Sequence, residues 1–211
     1  MKTTHINTGL RSYLENPKFY NLFQSIIGAN DHRRKHFEKL FPLSSGMSVL
    51  DIGCGTGIFA DYINKFIEYH GCDMEEKYID YCLNKFKSSN FSFYQEKVGE
   101  NDRKDWHSKF DYINAHGLLH HLPDSACKIL LQTSKRYLKS GGKLITVDST
   151  FHSKQSKLRK WLVSKDRGQN IKTPYGYKSF ASAVFENVDG YIDDSYSRII
   201  PFSVYIMTLT K

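Results

Sequence analysis

Three observations predict an α/β fold: a doubly wound, mostly parallel sheet of seven strands with an antiparallel hairpin at its C-terminal edge. Apolar strand-like runs and amphipathic helix-like runs alternate five times between Gly46 and Thr150, the pattern of a parallel sheet with crossover helices. The first run, "VLDIGCGTGIFA" (Val49 to Ala60), carries glycines at three alternate positions, as a tight strand-to-helix turn would. The last two apolar runs, "VDGYIDD" and "FSVYIMTLT", have only "SYSRIIP" between them, too short for a crossover, so they form a hairpin.

The elements follow in order. Residues 11–41 place Tyr13, Phe19, Tyr20, Phe23 and Ile27 near helical spacing, which predicts one or two helices packed on the sheet. "GMSVLDIG" is a buried strand, followed by a helix from Gly57 to Phe66. "YHGCD" is the second strand, Glu75 to Phe86 its helix, and "FSFYQE" the third strand. "FDYINAHG" is the fourth; Pro123 and Asp124 then open a helix to about Leu138 that "SGG" stops with a glycine cap. "KLITVDST" is the fifth strand, and after a basic segment Thr173 caps a helix that begins at Pro174. The expected organisation is one domain: a helical cap over 1–44, a core over 45–148, a lid or substrate insertion over 149–173, and a helix with the hairpin over 174–211.

The chain of 211 residues suits one α/β domain. No apolar stretch approaches a membrane span and "MKTTHINTGL" carries no signal-peptide core, so a soluble, cytoplasmic protein is expected. The four cysteines have neither C-x-x-C spacing nor a zinc-type partner pattern and read as reduced, and no metal is expected. The net charge of +8 concentrates in "DHRRKHFEK" and "KQSKLRKWLVSKDR". Such patches suit nucleic acid, an anionic membrane surface or a small acidic substrate, or are simply solvated helix faces.

Ligands of doubly wound sheets sit at the carboxyl ends of the strands, where the glycine turn lies. A dinucleotide fingerprint would need a third glycine at position 58, which is Ile58; the glycines are instead Gly53, Gly55 and Gly57. Asp51 just before the turn would repel a pyrophosphate and suit a cationic amine. Asp73 lies twenty residues after Gly53, where an acid accepts both hydroxyls of an adenosine ribose. A ligand with adenosine at one end and a cationic amino acid at the other fits both carboxylates.

With "VLDIGCGTG", "GCDM", "FDYINAHGLLHHLPD" and "LKSGGKLITVD" in this order, the sequence resembles the class I S-adenosylmethionine-dependent methyltransferases over about residues 45–150. The flanking segments are similar to small bacterial methyltransferases. The resemblance implies a Rossmann-like sheet and S-adenosylmethionine as cofactor. It implies that Gly53, Cys54 and Gly55 run along the methionine part, with Asp51 at its amino group, Asp73 on the ribose and Gly57 also among the cofactor-binding residues. Met74 would cover the adenine, with Ala115 and His116 near the sulfonium. The adenine amino group falls to Glu96 or a backbone carbonyl, because Lys97 occupies the usual acidic position. Tyr20, Gln24 and Arg33 are candidates to close over the cofactor, Arg33 by pairing with its carboxylate.

A hydroxyl acceptor needs a base, and "HHLP" offers His120 and His121, whose side chains titrate near neutrality. The long segment from Ser149 to Thr173 suits an active-site lid, with Leu158, Trp161 and Leu162 on one helical face, as a pocket cover, a foot on an anionic membrane or ordinary core packing. Asp166, Arg167 and Gln169 suit a hydroxylated or anionic substrate. The sequence therefore predicts methyl transfer to a small molecule, at the oxygen of a sugar or other hydroxylated metabolite, with no nucleic-acid partner. The alternatives are an RNA or protein methyltransferase and a catalytically silent cofactor-binding subunit.

Overall fold

The computed structural model describes residues 29–87, 89–166, 168–196 and 201–211. Seven strands form one sheet in the order β3-β2-β1-β4-β5-β7-β6. They are β1 (Ser48–Ile52), β2 (Glu68–Asp73), β3 (Ser92–Gln95), β4 (Phe110–His116), β5 (Leu138–Ser149), β6 (Asn187–Asp193) and β7 (Val204–Thr210). β1 to β5 are mutually parallel, while β7 runs antiparallel to both β5 and β6. The order reverses between β1 and β4, so a crevice opens at their carboxyl ends.

Side chains alternate across the strands and build two cores. On one face Val49, Tyr69, Phe93, Tyr112 and Ile145 pack beneath α1 (Ala29–Leu40) and α2 (Glu76–Lys85), which contribute Phe37 and Cys82. On the other, Leu50, Ile113 and Leu144 pack beneath α3 (Asp124–Tyr137) and α5 (Pro174–Ser182). A further short helix, α4 (Lys157–Ser164), follows β5 and inserts Val163 into the interior.

Thr173 caps α5 by accepting a hydrogen bond from Gly176 N. Two local expectations are corrected. The run after the glycine turn forms only a 3-10 turn, Ala60–Tyr62, not a helix from Gly57 to Phe66. Gly53, Gly55 and Gly57 all take positive φ, which delays helical backbone until too few residues remain before Ile63 turns extended. "SGG" caps no helix: α3 ends at Tyr137, and Ser140 to Gly142 lie within β5 where its pairing with β4 shifts register. Ala29–Leu40 is helical as expected; Tyr13, Phe19, Tyr20, Phe23 and Ile27 lie outside the described residues.

Candidate functional site

The crevice between β1 and β4 is a cleft holding about 790 Å³ of space, part of it open to solvent. Asp51, Gly53 and Gly55 line its floor, Asn114 and His116 come from β4, and Phe37 closes it from α1. Asp51 is only 2% exposed. Its carboxylate accepts hydrogen bonds from Tyr69 Oη at 2.7 Å and Asn114 Nδ2 at 2.7 Å. Burial raises its pKa to about 6, against the opposing effect of those two bonds. A cation arriving in the cleft would hold this carboxylate in its charged form.

The three glycines of the turn serve different ends. A Cβ on Gly55 (φ 51°) would meet no atom within 4 Å, because this position faces open space. A Cβ on Gly53 would touch Leu118 at 3.4 Å. Gly57 is a packing glycine: a Cβ there would lie 2.7 Å from Phe86 Cε2 and 3.1 Å from Cys82 Sγ, in the core beneath the turn. The structure thus turns Gly57 away from the cleft, whereas the sequence reading counted it among the cofactor-binding residues. Cys54 lines the cleft with its side chain nearly buried.

Asp73 locks the turn: its Oδ2 accepts from Gly55 N at 2.9 Å and its Oδ1 from Glu75 N at 2.9 Å. Burial raises its pKa. Beside it, Glu96 N donates to Asp73 O, and Glu96 Oε2 lies 3.5 Å from Arg103 Nη1. Glu96 Oε1 is buried without a hydrogen-bond partner among the described residues, and desolvation raises the pKa of this carboxyl. A buried acceptor left unsatisfied is costly unless a donor arrives. Lys97 turns away to Glu100 Oε1 at 2.6 Å, and Met74 is exposed. Ala115 points into the opposite core.

His116 and His120, four residues apart, part company at the end of β4. His116 pairs in register with Val147, and both line the cleft. Tyr196 Oη lies 3.1 Å from His116 Nε2, and the Tyr196 ring is tilted on His36, 5.1 Å between centroids. His120 is buried elsewhere. Its Nδ1 lies 2.9 Å from Asp148 Oδ1 and its Nε2 3.3 Å from Asp166 Oδ1. Asp148 follows Val147 and so projects from the other face of β5. Burial alone would lower the His120 pKa, but the bonds to Asp148 and Asp166 outweigh it and raise it to about 9. Neither His120 nor His121 lines the cleft.

An imidazolium saturated by two carboxylates is a poor proton acceptor, so the geometry removes His120 from the part of neutral base. Of the readings of Trp161, the structure shows neither the pocket cover nor core packing: with Leu158 it faces outward, 56% and 58% exposed, and does not line the cleft. Gln169 is exposed. Tyr20, Gln24, Arg167 and the Arg33 side chain lie outside the described residues.

Sequence reasoning missed Tyr69, Asn114, His36 and Tyr196. Asn114 had a signal, since it lies two residues before His116 and so on the same face of β4. Tyr196 had none, because its position depends on the hairpin folding back over β4.

The family model described as "Methyltransferase domain" matches residues 43–183. No curated protein matches the chain. Among solved structures, an S-adenosylmethionine-dependent methyltransferase from Archaeoglobus fulgidus superposes with a TM-score of 0.71 at 18% identity, covering 92% of this chain and 100% of its own. Phosphoethanolamine N-methyltransferase 2 from Haemonchus contortus, solved with phosphomonomethylethanolamine and S-adenosylhomocysteine, gives 0.70 at 16% identity over 85% of this chain. The present chain spans 52% of that enzyme's length. The [4+2]-cyclase SpnF gives 0.66 at 18% identity, covering 86% of this chain and 81% of its own. The chain belongs to the methyltransferase-domain family and has its class I, S-adenosylmethionine-dependent fold.

Proposed function

We propose that the protein transfers a methyl group from S-adenosylmethionine to a hydroxyl of a small molecule, a sugar or related metabolite. The observation that carries this reading is the cleft itself: a buried carboxylate and an open glycine face side by side at the switch point of the sheet. The residues fit the cofactor in three independent ways. Asp51 offers a desolvated negative charge to an amino group; Gly55 leaves room where any side chain would intrude; and Glu96 Oε1 is a buried acceptor in want of a donor, as an adenine amino group would be. Asp73 keeps lone pairs for ribose hydroxyls while it holds the turn.

When bound, the cofactor supplies an electrophilic methyl group on a sulfonium. The chain's own task is to position the acceptor and take its proton. Tyr196 and His116 are suited to this: they share a hydrogen bond at 3.1 Å on the cleft wall, and a hydroxyl acceptor could pass its proton into the pair. The fold is common to an N-methyltransferase and a cyclase, so the acceptor is set by these wall side chains and not by the sheet.

The test combines calorimetry with S-adenosylhomocysteine and an acceptor screen using methyl-labelled cofactor. Label on oxygen is expected, with Tyr196→Phe lowering turnover by roughly two to four orders of magnitude and leaving product affinity within a few-fold. Tight binding without label on any acceptor would favour the silent-subunit reading. Label on RNA or protein would favour the macromolecular one.

A further inference from the structure

We propose that His120, His121 and Asp166 form a binding site for a divalent transition-metal ion of the zinc type, on the opposite face of the sheet from the cleft. One ligand atom from each of the three lies within 4.8 Å of the other two. His120 Nε2 and Asp166 Oδ1 are 3.3 Å apart. Two ligands bonded at about 2.0–2.1 Å in a tetrahedral shell are themselves separated by roughly this distance. The His121 ring lies against that of His120, 4.2 Å between centroids, because both residues occupy one 3-10 turn, Leu119–His121.

The surroundings are those of an ion site. Asp148 Oδ1 accepts from His120 Nδ1 at 2.9 Å and from His120 N at 3.2 Å, which fixes the ring and aims Nε2 at Asp166. A carboxylate behind a histidine ligand is the usual outer partner in metal sites. Asp148 Oδ2 is buried without a hydrogen-bond partner among the described residues. No lysine or arginine pairs with Asp148 or Asp166 among the described residues; His120 is the cationic partner of both. Two carboxylates thus face one imidazolium; a divalent ion would displace its Nε2 proton to solvent, take Nε2 as a ligand and balance the two carboxylates. Imidazole with carboxylate is a donor set for zinc and its neighbours, less so for calcium or magnesium. Three protein ligands leave a fourth position for water or an anion.

Such an ion would tie the loop after β4 to the segment after β5, which already meet where Asn170 N donates to His120 O at 2.9 Å. This inference is independent of the methyl-transfer reading.

The test uses the full chain with zinc and, as a spectroscopic probe, cobalt(II). One equivalent should bind, with visible absorption of a nitrogen–oxygen shell and no thiolate band, since all four cysteines are buried. His121→Ala and Asp166→Asn should each weaken binding at least tenfold, and Asp148→Asn by about ten- to a hundredfold. In the wild type, the ring-nitrogen resonances of two of the nine histidines should move on adding zinc, a readout that needs no variant. Absence of saturable binding, or affinity unchanged in both His121→Ala and Asp166→Asn, would overturn the site.

Discussion

At Gly53–Gly57 the chain sets backbone and open space beside the end of β1, whereas between Ser149 and Lys172 it sets a carboxylate, Asp166, and a glycine, Gly168, against the ring of His120. Both regions lie at carboxyl ends of strands, and both use glycine. Gly55 stands beside open space, where a side chain would meet no atom; Gly168 stands where the space is already filled. A Cβ on Gly168 would collide with the His120 ring and lie 2.7 Å from the His120 carbonyl oxygen. One region leaves space beside its backbone, the other packs its backbone against side chains.

The sharpest way to break this comparison is to give each glycine a side chain. Gly55→Val is expected to reduce S-adenosylhomocysteine binding by at least a hundredfold while leaving the fold in place, since only strain at φ 51° opposes it, about 1–2 kcal/mol. Gly168→Val should do the reverse, costing roughly 1–3 kcal/mol of stability by overpacking with product affinity nearly unchanged. Calorimetry and thermal melts of the two variants check both halves. Binding retained in Gly55→Val would make the first turn merely structural.

A smaller effect is expected at Asp73, whose two oxygens already hold Gly55 N and Glu75 N. Asp73→Ala should weaken product binding by roughly 1.5–3 kcal/mol, through lost charge-assisted bonds and a loosened turn. Unchanged calorimetric affinity would refute the ribose assignment.

The same contrast explains what could be read in the sequence. The cleft was legible because its parts are local: Asp51, Gly53 and Gly55 lie within five residues, and Asp73 follows at a spacing fixed by one crossover. Gly57 fooled the reading because packing and ligand glycines look alike on paper; only Phe86 and Cys82, brought up by α2, tell them apart. That His120 takes the face opposite to His116 was not legible, because it depends on where β4 ends. Asp148, Asp166 and Tyr196 reach their partners across 28, 46 and 80 residues, and no local spacing encodes such meetings.

Acidity gives the next effect. The Asp51 carboxyl has its pKa raised to about 6 in the fold, above its ordinary 3.8, by burial. Ionising it therefore costs the ligand-free protein stability, and that cost is relieved as pH falls from about 7 towards 4. An amino group in the cleft favours the charged form, so S-adenosylhomocysteine affinity should be flat above about pH 7 and fall roughly tenfold per unit below 6. Calorimetry between pH 5 and 8 reads this directly. Asp51→Asn should bind more weakly and lose the slope; a slope that persists would assign it to another group.

The smallest effect is expected on the outer side of α4. Trp161 and Leu158 are more than half exposed there, while Val163 on the inner side is fully buried. Arg159 ties the helix down by hydrogen bonding to the carbonyls of Asp194 and Phe202. Truncating Val163 to Ala removes packed methyl groups and should cost roughly 1–3 kcal/mol, partly for the void left behind. Trp161→Ala removes a larger side chain, yet most of it meets solvent, so its effect should stay within about 0.5 kcal/mol. Product affinity should be unaltered, because Trp161 does not line the cleft. A melting temperature lowered as far by Trp161→Ala as by Val163→Ala would mean that the tryptophan packs inward in solution. A loss of product affinity in the same variant would restore the helix as a lid over the cleft.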